Sequence, residues 1–329
     1  MKRIACLLAT LLLCTSCTAL PAEERAFAVV LMVEKGEESI RVHGRIPTYQ
    51  AGGGYLTVTG EGQRLSAALA DMEAKAPMEI HLSQLRLLVL DASLGREASA
   101  VLLALSDRPD MRQGCAVAVT EAEADALMVA FKPETGTRLS KAIDVLLDAR
   151  IRQGAILPCS LTDVIRMGER QTPVLAALTL ADGKPAFGGG WPMTHNKTFA
   201  GILTPEECAL LALLRGDARE LQLTLPEGSA KVRDASIRQT LAEDKKSAEV
   251  TLTLRMTASD LTPEGLEQNL AEELLTLLSR LSVQGCDVLG FGRKAILRAP
   301  DWSAWRAMDW PTACRQLRWK VFVGVQGPA

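Results

Sequence analysis

The chain reads as an α+β protein, mixed α/β in its first part, in which mixed and antiparallel sheets pack on helices. Three observations carry that expectation. Residues 85–90 and 115–119 are continuous apolar runs, the pattern of strands covered on both faces. Leu221, Leu223 and Leu225, and again Val250, Leu252, Leu254 and Met256, alternate apolar with polar, as an antiparallel sheet with one wet face does. Leu266, Leu270, Leu274, Leu277 and Leu281 recur at helical spacing after Thr262-Pro263, which predicts one long amphipathic helix.

Composition sets the scale. The chain has 329 residues, 48% hydrophobic and 23% charged, enough for two or three domains with real cores. Its first residues are of a different kind. Lys2 and Arg3 are followed by an apolar run over residues 4–13, then Cys14-Thr15-Ser16 leads to Cys17. Charged, apolar and small segments in that order describe a secretory signal peptide, too short to span a bilayer comfortably. A cysteine directly after the small residues resembles a bacterial lipobox with the cut after Ser16, although Cys14 stands where Leu is commonest. That resemblance implies that Cys17 becomes the mature N-terminus and carries a thioether-linked diacylglycerol, and in many bacteria a third acyl chain; two or more chains anchor stably. The alternative is an ordinary secretory cut near Ala19 or Ala22. Losing residues 1–16 removes two positive charges and takes the formal charge from −2 to −4, so nothing electrostatic draws the body to nucleic acid or anionic lipid.

Taken in order, residues 27–33 read as a strand, 40–46 as a partly alternating strand, and 55–59 as a third after a Gly-rich loop. Leu65, Leu69, Met72 and Ala76 predict a helix stopped by Pro77; Ala98, Val101, Leu102 and Leu105 predict another. Thr120 and Glu123 have the spacing of a capping box. A weak helix is expected over 161–167 and a strand over 174–180, followed by the hairpin signal Asp182-Gly183-Lys184. Gly188-Gly189-Gly190-Trp191-Pro192 reads as loop. Thr204-Pro205-Glu206-Glu207 is a second capping box, with Pro at the first helical position and Gly216 just past the end. Residues 231–240, and Leu317 to Val325 in alternation, complete the strands. The expected division is 1–16 signal peptide, 17–155 mixed α/β domain, 156–216 small middle domain, and 217–329 α+β domain with an antiparallel sheet and the long helix 262–283.

Catalytic patterns are missing. There is no P-loop or G-x-S-x-G elbow, and Gly290-Phe291-Gly292 lacks the third glycine of a dinucleotide loop. His43, His81 and His195 stand far apart with no ligand-spaced partners and are expected at surfaces or caps. Cys115, Cys159, Cys208, Cys286 and Cys314 are odd in number and widely spaced, which favours buried apolar side chains over disulfides or zinc. The pairs Glu206-Glu207 and Glu272-Glu273 belong to a helix first turn and a solvent face. No catalytic residue, metal site or cofactor is assigned. Trp302, Trp305, Trp310 and Trp319 either offer an aromatic surface to a partner or a membrane interface, or fill the last core, and the alternation around Trp319 favours the core.

Gly285-Cys286-Asp287-Val288-Leu289-Gly290-Phe291-Gly292, after a long helix and before a Trp-containing helix and a final strand, resembles the C-terminal "GxDxxGFG" signature of the Ger(x)C lipoproteins, the C subunits of spore germination receptors. Residues 81–90, Arg108-Pro109-Asp110 and residues 199–204 resemble further family segments in the same order. The chain departs in its short middle and in Thr18-Ala19, where the family often has Trp-Asp. The resemblance implies three mixed α/β domains and an acylated Cys17 on the outer face of a spore's inner membrane. It further implies partnership with integral membrane subunits A and B in a nutrient germinant receptor, with no catalytic residues. The competing class is a lipid-anchored solute-binding protein, which predicts two similar lobes around a cleft.

Overall fold

The computed structural model describes residues 25–48, 54–133, 137–167, 171–218 and 220–327. Cys17 and the expected signal peptide, residues 1–16, lie outside these residues. Thirteen strands form three sheets among the described residues, with ten α-helices.

The largest sheet has seven strands in the order β4 (Gly54–Gly62), β3 (Ile40–Thr48), β2 (Val30–Lys35), β6 (Leu87–Asp91), β7 (Ala116–Thr120), β8 (Val174–Ala181), β9 (Lys184–Pro192). Its centre is parallel and its two ends are antiparallel hairpins. The apolar runs at its centre have the cause the sequence suggests. Leu31, Leu88, Leu90, Val117 and Val119 enter a core under α1 (Leu65–Lys75), α2 (Glu97–Ser106) and α5 (Leu161–Met167). Val30, Met32, Leu87, Val89 and Ala118 face the opposite core under α3 (Ala124–Ala130) and α4 (Leu139–Arg152). Both faces are covered, so neither set of alternate positions can be polar. A two-stranded parallel ribbon, β1 (Arg25–Phe27) with β5 (Glu79–His81), stands beside this sheet as a separate pair.

The second unit is a sheet in the order β10 (Glu220–Leu225), β11 (Gly228–Leu241), β12 (Ser247–Ser259), β13 (Arg318–Gln326). It packs on α7 (Pro263–Val283), whose leucine stripe is buried, and on α8 (Phe291–Leu297), α9 (Trp302–Ala307) and α10 (Trp310–Arg315). The antiparallel expectation holds for β10, β11 and β12 but not for the last strand, which joins β12 in parallel. A parallel neighbour needs a long crossover, and α7 with the three short helices after it supplies one.

Residues 156–216, expected as a small middle domain, are divided between these two units. Strands β8 and β9 extend the seven-stranded sheet, and α5 lies on the core beneath it. Helix α6 (Pro205–Arg215) belongs to the other core, with residues 208–214 all buried. A helix that is apolar all round has no solvent face. Cys208 approaches Gly190 on one side, and Ala209 and Leu221 meet at Gly154 on the other.

Several local expectations change in the folded chain. The capping box at Thr204 and Glu207 is complete in both directions. The one at Thr120 is not formed: Thr120 closes β7 and is buried, so α3 starts later, capped by Glu123, which accepts from the amides of Asp125 and Ala126 at 3.1 and 2.8 Å. The glycine run at 188–190 is strand rather than loop, because backbone approaches it closely: a Cβ on Gly189 would sit 2.2 Å from the Leu203 carbonyl oxygen. Asp182 and Gly183, at φ 52° and 70°, make the tight hairpin turn that their types suggest.

Candidate functional site

The signature loop 285–292 is where the two units meet. Gly285, at φ 80°, turns the chain out of α7 and donates its N–H to the Ser282 carbonyl at 2.8 Å. Asp287 then caps the next helix. Its Oδ1 accepts from the Phe291 amide at 2.8 Å, and its Oδ2 from the Gly292 amide at 2.7 Å and the Trp310 indole N–H at 3.1 Å. Gly290 reaches φ 74° to bring those amides round to the carboxylate. Phe291 is fully buried, edge-on to Trp319 with ring centroids 5.3 Å apart. The signature thus encodes a turn, a cap and a core anchor.

The same loop is bonded to the first unit by backbone groups. The Thr172 amide donates to the Asp287 carbonyl at 3.0 Å, the His195 amide to the Gly285 carbonyl at 3.0 Å, and the Gln171 side chain to the Val288 carbonyl at 3.2 Å. Residues 171–172 precede β8 and His195 follows β9, so this hairpin of the first sheet clasps the loop at both ends.

Burial dominates the electrostatics. Asp287 is only 3% exposed, and desolvation pushes its carboxyl up to about 6, against the pull of the Gly292 and Phe291 amides and the Trp310 indole. Desolvation, aided by the Arg315 guanidinium, lowers His195 to about 4, which keeps the imidazole neutral. Neither ring nitrogen of His195 has a hydrogen-bond partner among the described residues, nor has the buried Thr172 hydroxyl. Both residues line a cavity of about 180 Å³ bounded by α2, α5 and the 193–197 segment, with Leu102, Val164, Pro173 and Met193 in its walls.

The other residues singled out in the sequence fall into place as follows. Cys17, the expected lipidation site, lies outside the described residues. Trp305 and Trp310 are buried and stacked at 6.4 Å, and Trp319 bonds the Ser282 hydroxyl at 2.8 Å, as core packing requires. Trp302 is 51% exposed, with the Arg306 guanidinium over its ring. His43 corrects the surface expectation: it is buried, between the Thr59 hydroxyl at 3.0 Å and the Glu34 carboxylate at 3.1 Å. Cys115, Cys208, Cys286 and Cys314 are buried free thiols, raised by desolvation, and Cys159 is a partly buried one. No group of three or more His, Cys, Asp or Glu side chains among the described residues is placed to hold a metal ion. No helix among them is long and apolar enough to cross a membrane. The pairing of Thr172 with His195 had no sequence signal, because it depends on two segments joined only through the β8–β9 hairpin.

The fold and the signature loop define a class, and comparison with known proteins supplies the family. Residues 19–180 match the family described as the spore germination protein N-terminal domain. Residues 19–180 thus carry the N-terminal domain of spore germination proteins, the Ger(x)C group that the C-terminal signature also resembles. The fold is similar to that in the crystal structure of the GerBC protein, with a TM-score of 0.56 at 13% identity, over 90% of this chain and 96% of that one. No curated protein matches the chain.

Proposed function

We propose that this protein is the lipid-anchored C subunit of a nutrient germinant receptor, held on the extracytoplasmic face of the spore inner membrane and docked against integral membrane subunits A and B. The observation that carries this reading is the join between the lipobox-like segment and the family domain. The matched domain begins at residue 19, and its first strand begins at Arg25, eight residue steps beyond Cys17. Eight steps span at most about 28 Å in any conformation. An acylated Cys17 therefore keeps the body within reach of the bilayer and presents its surfaces to membrane partners at high effective concentration. The subunit acts by contact, not by catalysis.

Replacing Cys17 with Ala tests this directly. The variant is expected to leave the membrane fraction and to impair germination while its body stays folded. Normal germination with soluble, unlipidated protein would refute the proposal. Mass spectrometry of the mature N-terminus checks the modification itself: a diacylglycerol-modified Cys17 is expected, and an N-terminus at another residue counts against the anchor.

A further inference from the structure

The corner between α8 and α9 presents apolar side chains to solvent beside positive charge that nothing neutralises. Leu297 is 81% exposed, the highest value for any large hydrophobic side chain among the described residues, and Trp302 is 51% exposed. Between them Arg298, Pro300 and Asp301 are exposed as well. A lone exposed leucine is ordinary on a protein surface, whereas leucine, proline and tryptophan at one corner form an apolar tip. The corner is held firmly. Arg298 bonds the Leu241 carbonyl, and Lys294 Nζ donates to the Gln239 carbonyl at 2.7 Å, which ties α8 to the end of β11. Trp305 is buried in the core and holds α9 against it.

Charge indicates what covers this tip. The segment from Phe291 to Ala307 carries Arg293, Lys294, Arg298 and Arg306 against Asp301 alone, four positive charges and one negative, or +3 in a chain of formal charge −2. None of the four cations forms an ion pair among the described residues. The one carboxylate is engaged in capping, its Oδ1 accepting from the Ala304 amide at 2.8 Å. The Arg306 guanidinium lies 5.5 Å from the centre of the Trp302 ring. A tryptophan with a guanidinium beside it suits a lipid–water interface, where the ring meets the acyl boundary and the cation meets phosphate. We infer that the α8–α9 corner rests on an anionic lipid bilayer, with Leu297 and Trp302 entering the headgroup region and Arg293, Arg298 and Arg306 meeting the phosphates. Net charge gives the chain no such attraction; the distribution of charge does. The inference rests on the membrane placement proposed above, but not on acylation of Cys17. A contact of this kind orients an anchored body and does not replace the anchor.

Lipid-free chain beginning at residue 18, which keeps every described residue, tests this contact apart from the anchor. Mixed with vesicles of equal phosphatidylcholine and phosphatidylglycerol, it is expected to co-sediment, half-bound at about 1 mM lipid. Brominated lipid should quench its tryptophan fluorescence. Trp302→Phe should remove most of that quenching, since the other four tryptophans are buried or partly buried. Vesicles of phosphatidylcholine alone, or about 1 M salt, should weaken binding at least about tenfold. The double variant Leu297→Ser with Trp302→Ser should do the same, and so should Arg293→Glu with Arg306→Glu. All four positions are exposed, so the circular dichroism spectrum should stay unchanged. The inference is overturned if the folded chain ignores anionic vesicles, if phosphatidylcholine alone binds it equally well, or if either folded double variant binds like the parent chain. Each of those results leaves the anchor standing, because its own test reads the modification of Cys17.

Discussion

Trp310 donates its indole N–H to the Asp287 carboxylate at 3.1 Å, and both side chains are buried. All three side-chain hydrogen bonds to Asp287 come from N–H donors. A carboxylate suits that environment and an amide does not. Asp287→Asn would set an NH₂ group against at least one of those donors. Urea unfolding at neutral pH is expected to show a loss of about 2–3 kcal/mol. Trp310→Phe keeps most of the packing and drops one donor, so a smaller loss of about 1 kcal/mol is expected.

Acid should act on this joint in two opposing ways. Asp287 is raised from 3.8 to about 6, so between those values the folded carboxyl takes up its proton before the unfolded one and acidification favours folding. His195 is lowered from 6.5 to about 4, so in that window the unfolded chain takes up the proton first and acidification favours unfolding. His195→Gln removes only the second effect. Between neutral pH and about pH 5, the variant should lose less stability than the parent chain by urea unfolding. Equal losses in the two proteins would contradict the assignment of His195 as a buried neutral imidazole.

Helix α1 lies directly on the backbone of β4. A Cβ on Gly60 would sit 2.2 Å from the Ala68 carbonyl oxygen and 2.3 Å from the Met72 amide nitrogen. Neither is the end of a flexible side chain, so the helix must lift. Gly60→Ala is expected to destabilise the protein by about 3 kcal/mol. Gly114→Ala serves as the control, since nothing lies within 4 Å of the point where its methyl group would sit. Its effect should stay within about 0.5 kcal/mol.

Thr172 offers a test that does not depend on any ligand. Its hydroxyl is buried without a partner among the described residues. The isosteric change Thr172→Val keeps the shape and removes the unmet polar group. Thermal or urea unfolding of the free protein should show a gain of about 1 kcal/mol. A clear loss would mean that the hydroxyl is bonded in the folded chain.

Much of this architecture is legible in local pattern. The doubly covered strands 87–91 and 116–120, the leucine stripe of α7 and the alternation in β10 and β12 each report how many faces of an element meet a core. The Thr204 capping box is legible for the same reason, because all its atoms lie within four residues. Thr120 shows the limit: the same spacing forms no box, since burial at the end of β7 claims the side chain first. The glycines at 188–190 resemble a loop in sequence, and only the approach of Leu203 and Cys208 shows why a strand needs them small.

By itself the sequence determined the fold class, the order of most elements, the family resemblance and the expectation of an anchor at Cys17. These depend on residue type at short spacing, where periodicity, turn chemistry and motif are fully present in the chain. Tertiary structure alone decided that residues 156–216 are shared between two units and that β13 runs parallel to β12. It also decided that Asp287 is a buried cap and that Thr172 and His195 share a cavity. Those outcomes depend on which distant surfaces bury one another. Burial depends on the packed whole, and no short window of residues carries it.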